Sequence, residues 1–159
     1  MSPSTSRPDL VHGTALALGG KAALIRGPSG SGKSDLALRC VALPPLPHNP
    51  WRAELVADDQ VCMALKGDAI EVSPPGTIAG RIEVRGLGIL TLPYRAAARL
   101  ALVVDLVPAA EVPRFPLEHL TAEYLGVTVP LVRLAAFESS APVKLILALG
   151  AAPEVSSAS

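Results

Sequence analysis

Gly27, Gly32, Lys33 and Ser34 stand at the spacing G-x-x-x-x-G-K-[ST]. The residues before them, "AALI", form an apolar run, and those after, "KSDLALRCVAL", are rich in helix formers with Pro44-Pro45 as the stop. The context predicts strand, glycine loop, helix, in that order. Gly27, Gly30 and Gly32 are expected to permit positive φ and close backbone approach. Successive N–H groups of the loop, through Pro28, Ser29, Ser31 and on to Asp35, would then surround phosphate oxygens at the positive end of the helix. Lys33 would reach the β- and γ-phosphates of ATP, and the Ser34 hydroxyl would be a ligand for Mg²⁺. The competing explanation is a Gly/Ser-rich turn that does no more than cap a helix.

The rest of the chain narrows the class around this loop. Its 159 residues suit one domain with a single core. Half of them are hydrophobic, yet no run approaches the roughly 18 apolar residues that a membrane span needs, so no membrane partner is expected. Residues 1–8 of "MSPSTSRPDL" lack a charged start followed by an apolar stretch, and they read as a disordered lead-in rather than an export signal. With 14 basic and 14 acidic side chains there is no global field to draw in nucleic acid. Cys40 and Cys62 have no CxxC spacing, which argues against a disulfide framework or structural zinc and for two core thiols in a reducing cytoplasm.

Along the chain, "LVHGTALALGGKAALIRG" predicts a hairpin turning at Gly19-Gly20. "PPLPHNPW" reads as an extended surface connector with Trp51 anchoring its end. "RAELVADD" is a strand ending in two carboxylates, and "VCMALKGDAIEVSP" is two strands around Lys66-Gly67-Asp68. "GRIEVRGLGILTL" is less regular, "ARLALVVDLVP" predicts a strand buried on both faces, and "GVTVPLVRLA" is β-like. "APVKLILALGAA" has the composition of a closing helix, with Pro142 in its first turn. The expectation is an α/β P-loop domain over residues 9–150, with a mixed, strand-rich sheet of about seven strands, two helices and a disordered tail at 151–159.

Several side chains qualify for chemistry. Asp58 and Asp59 follow "LVA", where a strand leaves the sheet and α/β folds present ligands. Adjacent strand residues face opposite ways, so one carboxylate would hold Mg²⁺ or its water and the other would act as a base. A solvated Asp-Asp turn is the alternative. His12 precedes a hairpin strand, and one strand pairing would carry it beside the carboxylates, although a lone histidine is usually structural. His48 and His119 are expected at the surface. Glu83 and Arg85 alternate with Ile82 and Val84, and would form either an edge salt bridge or part of a phosphate and metal site.

Taken together, "HGTALAL", "GPSGSGKSD", "LVADD" and above all "IEVRGLGIL" resemble the catalytic domain of the HPr kinase/phosphorylase family. The resemblance covers residues 10 to 150, most closely 10 to 90. It implies transfer of a phosphoryl group from ATP to a serine of the phosphocarrier HPr, and in reverse the attack of phosphate on phosphoserine. By it, Asp58 and Asp59 supply the base and an Mg²⁺-linked contact, with Asp58 favoured as base. His12 supports that carboxylate, Lys33 neutralises the transferred group, and Ser34, Asp59 and Glu83 form the metal site, with Arg85 beside it. It also implies a homo-oligomer, a hexamer, and a short form lacking the separate N-terminal domain of longer members.

The chain departs from the family pattern at three places. Asp35 stands where Glu is usual, and the connector "PPLPHNPW" is longer than the family's link. "RLAAFESSAPVK" replaces a Gly-Arg-Asn turn, leaving Arg133 or Lys144 as stand-ins for its arginine. A small-metabolite kinase and a nucleotide-sensing module without transfer activity are the other functions compatible with the loop.

Overall fold

The computed structural model describes residues 9–47, 49–115 and 118–153. These hold eleven strands and two α-helices. The strands are β1 (Asp9–His12), β2 (Thr14–Leu18), β3 (Lys21–Arg26), β4 (Ala53–Ala57), β5 (Gln60–Lys66) and β6 (Ala69–Ser73). They continue with β7 (Arg81–Val84), β8 (Gly88–Thr91), β9 (Ala98–Leu106), β10 (Thr121–Tyr124) and β11 (Val127–Leu134). The helices are α1 (Lys33–Ala42) and α2 (Ala141–Ala151). The mixed, strand-rich sheet and the scarcity of helices are as the sequence predicts. The larger strand count comes from short elements, β1, β7, β8 and β10, whose four residues each carry too little periodicity to be seen in isolation.

The main sheet runs β1-β5-β6-β9-β3-β2-β4, with β11 pairing β9 and β10 pairing β11, while β7 and β8 form a separate two-stranded sheet. β2 and β3 close on the two-residue turn Gly19-Gly20, with Gly19 at φ 63. β5 and β6 close on Gly67-Asp68, again with a left-handed glycine, Gly67 at φ 64. β2 is antiparallel to both β3 and β4, and β9 is parallel to β3. The C-terminal ends of β3, β4 and β9 therefore open on one edge of the sheet, and the glycine loop and Asp58 both leave from that edge.

Each face of the sheet has its own apolar cluster. On one face α1 and α2 cover Leu16, Ile25, Leu102 and Val104 with Leu36, Cys40, Leu145 and Leu149. On the other, Ala15, Leu24, Val56 and Val103 pack with Val61, Met63, Ile70 and Val72 of β5 and β6. The sheet thus curls so that its own strands cover the face that helices cover in a doubly wound fold, which is why so few helices suffice. β9 is buried through its centre, Leu100 to Val104, as its unbroken apolar run requires. α2 presents Ala141, Leu145 and Leu149 at four-residue spacing, with Pro142 in the first turn. It extends to Ala151, and Ala152 behind it is buried, so the expected tail begins with packed residues; residues 154–159 lie outside the described ones.

Candidate active site

The glycine loop delivers α1 with an open N-terminus. Gly30 (φ 81) and Gly32 (φ 99) adopt the left-handed backbone that a side chain disfavours. Gly27 needs no positive φ; it is required for space, because a Cβ there would stand 2.5 Å from Ser31 Oγ. The first helical hydrogen bond runs from Leu36 N–H to Gly32 O, leaving the N–H groups of Lys33, Ser34 and Asp35 without intrahelical acceptors. Lys33 is buried and donates from Nζ to the carbonyls of Gly27 (2.8 Å) and Pro28 (3.0 Å), curled back over its own loop. Ser31 Oγ is buried and has no hydrogen-bond partner among the described residues. Open N–H groups, an ammonium and an uncommitted hydroxyl around one turn fit the phosphates of a nucleotide.

Arg26 anchors the strand that enters this loop. Its guanidinium makes two parallel bonds to Asp105, at 2.7 and 2.9 Å, and a third to Tyr124 Oη at 3.0 Å. The Asp105 hydrogen bond raises its already high pKa further against the opposing effect of burial, so the guanidinium stays charged. Asp105 and Tyr124 drew no notice as sequence, because their β9 and β10 positions meet Arg26 only through strand register.

The two adjacent aspartates have sharply different surroundings. Asp58 is 6 % exposed and accepts three hydrogen bonds: Thr14 Oγ1 at 2.9 Å and Ser34 Oγ at 2.5 Å on Oδ1, and Glu83 N–H at 3.1 Å on Oδ2. The Asp59 side chain is 76 % exposed, with His12 Nε2 3.5 Å from its Oδ1. What separates them is a γ-turn, in which Gln60 N–H donates to Asp58 O at 2.8 Å around Asp59 at φ 72. Gly13 N–H holds the turn from the other side, donating to Asp59 O at 3.0 Å. The pairing of β1 with β5, His12 opposite Gln60, brings the histidine there, as one of the pairings open to the sequence would.

The contacts give the two carboxylates different settings. Asp58 takes three donors, one of them from the metal-ligand candidate Ser34. Asp59 is mostly exposed, with His12 as its neighbour. Strand alternation was the wrong reason for their difference, since β4 ends at Ala57 and both lie in the turn.

Glu83 follows in β7, beside the same carboxylate. It touches Asp58 through its backbone N–H rather than its carboxylate. Arg85 falls past the end of β7 in the turn to β8, exposed, so the two do not share a strand face; among the described residues they make no ion pair with each other. No group of three or more His, Cys, Asp or Glu is gathered to hold a metal among the described residues. The Ser34 hydroxyl and Asp58 carboxylate offer two oxygens instead, a donor set that suits Mg²⁺, which keeps waters and takes phosphate oxygens as further ligands.

Other expectations resolve simply. His119 is exposed, and His48 lies outside the described residues. Cys40 is fully buried and Cys62 half-buried, both free thiols. Lys144 is committed to Glu138 at 3.0 Å, and Arg133 is exposed on β11 opposite Asp105. Trp51 is more exposed than an anchor would be, lying across the Gly19 turn at the opposite end of the β2–β3 hairpin from the glycine loop.

The family model described as HPr Serine kinase C-terminal domain matches residues 4–152. The chain belongs to this family. Among its relatives, the HPr kinase/phosphorylase proteins of Burkholderia cenocepacia (strain HI2424) and Paraburkholderia phymatum are each 35 % identical over 134 residues. In both, the match takes in 78 % of this chain and 39 % of the relative, so the chain spans about two-fifths of the length of these curated relatives. The structure of the HPr(Ser) kinase/phosphatase from Coxiella burnetii superposes with a TM-score of 0.72 at 25 % identity, covering 89 % of this chain and 93 % of that one. The strand-rich P-loop architecture is therefore that of the HPr kinase C-terminal domain. Among the described residues, no helix is long and apolar enough to cross a membrane.

Proposed function

We propose that this domain is an ATP- and Mg²⁺-dependent protein serine kinase whose acceptor is an HPr-type phosphocarrier. The observation that carries the proposal is the division of labour between Asp58, bonded to Ser34 beneath the glycine loop, and Asp59, held out beside His12. A binding module needs the first of these; a kinase also needs the second.

In transfer, the acceptor serine Oγ forms a bond to the γ-phosphorus as the bond from that phosphorus to the β,γ-bridging oxygen breaks, and ADP leaves. Asp59 takes the serine proton, and His12 orients the carboxylate. The loop N–H groups and Lys33 hold the phosphates in line and neutralise charge that builds on the equatorial oxygens, so positioning and electrostatics supply most of the rate. Lys33 must leave the Gly27 and Pro28 carbonyls to do so. Mg²⁺, when bound, supplies further neutralisation, and Ser34 with Asp58 are the residues that would hold it. Phosphorolysis of phosphoserine uses the same groups in reverse, with Asp59 returning the proton.

The proposed setting is the cytoplasm, to which two free thiols are suited. Homo-oligomeric assembly belongs to the same proposal, and sedimentation of the purified chain tests it. The function itself is tested with labelled ATP, Mg²⁺ and purified HPr. Phosphoserine on HPr that is lost in Lys33→Ala and Asp59→Asn supports it. Intact nucleotide binding with no transfer to HPr overturns it in favour of a sensing module or a kinase of another acceptor.

A further inference from the structure

Phe137 is the one aromatic side chain, among the described residues, that touches the glycine loop. A Cβ placed on Gly32 would stand 2.9 Å from Phe137 Cζ and 3.1 Å from Cε1, so the ring lies directly on the glycine that caps α1. Yet the residue is 73 % exposed, a poor use of an aromatic ring in a core. The other aromatics sit elsewhere: Trp51 over Gly19, Tyr94 over Gly80, Phe115 beneath Arg114, and Tyr124 on Arg26.

The backbone on either side of the ring is held in place. Arg39 donates to the carbonyls of Ala136 and, at 3.3 Å, Glu138, the two residues that flank Phe137. The same guanidinium is paired with Asp35 at 2.9 Å, one helical turn back in α1. Segment 136–138 is thereby bound to the side of α1 that carries Asp35 and Arg39. Ser34 faces a different way, toward Asp58 and the transfer chemistry. A nucleotide with its terminal phosphate at Lys33 and Asp58 carries its nucleoside away from them, past the open N–H of Asp35. Among the described residues, Phe137 is the exposed aromatic side chain that stands against the loop there.

We propose that Phe137 is the platform on which the purine of the bound nucleotide stacks. This rests on the proposed function for the loop and extends it to the base. An aromatic face that stacks on a base is sequence-tolerant, so the interaction favours nucleotides as a class over bare polyphosphates without choosing among purines.

The test compares ATP with inorganic tripolyphosphate, each with Mg²⁺, by isothermal titration on wild type, Phe137→Ala and Phe137→Tyr. Stacking predicts that Phe137→Ala weakens ATP roughly ten-fold or more, leaves tripolyphosphate unchanged, and is rescued by Phe137→Tyr. Equal weakening of both ligands would mean that the ring shapes the loop rather than meeting the base, and overturns the proposal. So does unchanged ATP affinity with reduced transfer to HPr, which would make Phe137 part of the acceptor dock. A base-dependent loss in Phe137→Ala supports the platform even if HPr receives no phosphate, so the two proposals fail separately.

Discussion

The Ser34 hydroxyl donates to Asp58 Oδ1 over 2.5 Å, and this contact joins the end of β4 to the first turn of α1. Thr14 and the Glu83 N–H complete the set around the same buried carboxylate. Replacing Asp58 by Asn keeps the shape but offers an amide N–H₂ where a donor already points. Asp58→Asn is expected to cost about 1–3 kcal/mol of stability in urea denaturation, together with the Mg²⁺ dependence of nucleotide affinity. A variant with wild-type stability and an unchanged Mg²⁺ titration would remove Asp58 from the role given to it.

Asp59→Asn is expected to behave in the opposite way. Asn also tolerates the φ of 72 at this position, and the side chain it replaces is mostly solvated, so stability should change by no more than about 0.5 kcal/mol. Nucleotide binding should persist while phosphoserine formation falls about 10²- to 10⁴-fold, the usual value of a general base. Single-turnover transfer beside a binding titration separates the two effects.

Gly13 is tested by size alone. A Cβ there would lie 2.9 Å from both Ile25 O and Leu24 Cδ1 in the strand that feeds the loop. Gly13→Ala is expected to destabilise by about 1–3 kcal/mol and to lower transfer as well, because Gly13 N–H holds the Asp59 turn. Stability and transfer both at wild-type level would show that the strand gives way freely.

Burial pushes the Cys40 thiol from 9.0 up to about 12, with Arg39 opposing weakly. The unfolded chain loses this proton first. Stability from the neutral thiol is therefore complete below pH about 9 and declines as pH rises toward about 12, by about 1.4 kcal/mol per pH unit. Cys40→Ala should flatten that part of the denaturation profile. In the folded protein, Cys62 should be alkylated first.

The sequence exposes what repeats locally and hides what depends on register. The Gly19-Gly20 hairpin, α1 with its proline stop and the buried β9 each announce themselves through composition and period. So does the glycine loop, through spacing. The β1–β5 pairing was legible only as one possibility, because four residues with His12 at the end fix no partner. That Asp58 and Asp59 would differ was legible, but its cause was not: the difference arises from a γ-turn held by Gly13, and strand alternation extrapolated past Ala57 cannot anticipate it. Arg26 with Asp105, and Phe137 on Gly32, join residues more than seventy apart and become visible only once the sheet has closed.

The left-handed turn at position 59 also limits which substitutions that site could accept over evolutionary time. Its backbone is comfortable for Gly, Asn and Asp, whose short or absent side chains tolerate φ near 72. Proton acceptance by a carboxylate admits Asp and Glu. The two alphabets share one letter, so Glu, the usual conservative replacement, would carry about 1–2 kcal/mol of backbone strain there before its chemistry came into play.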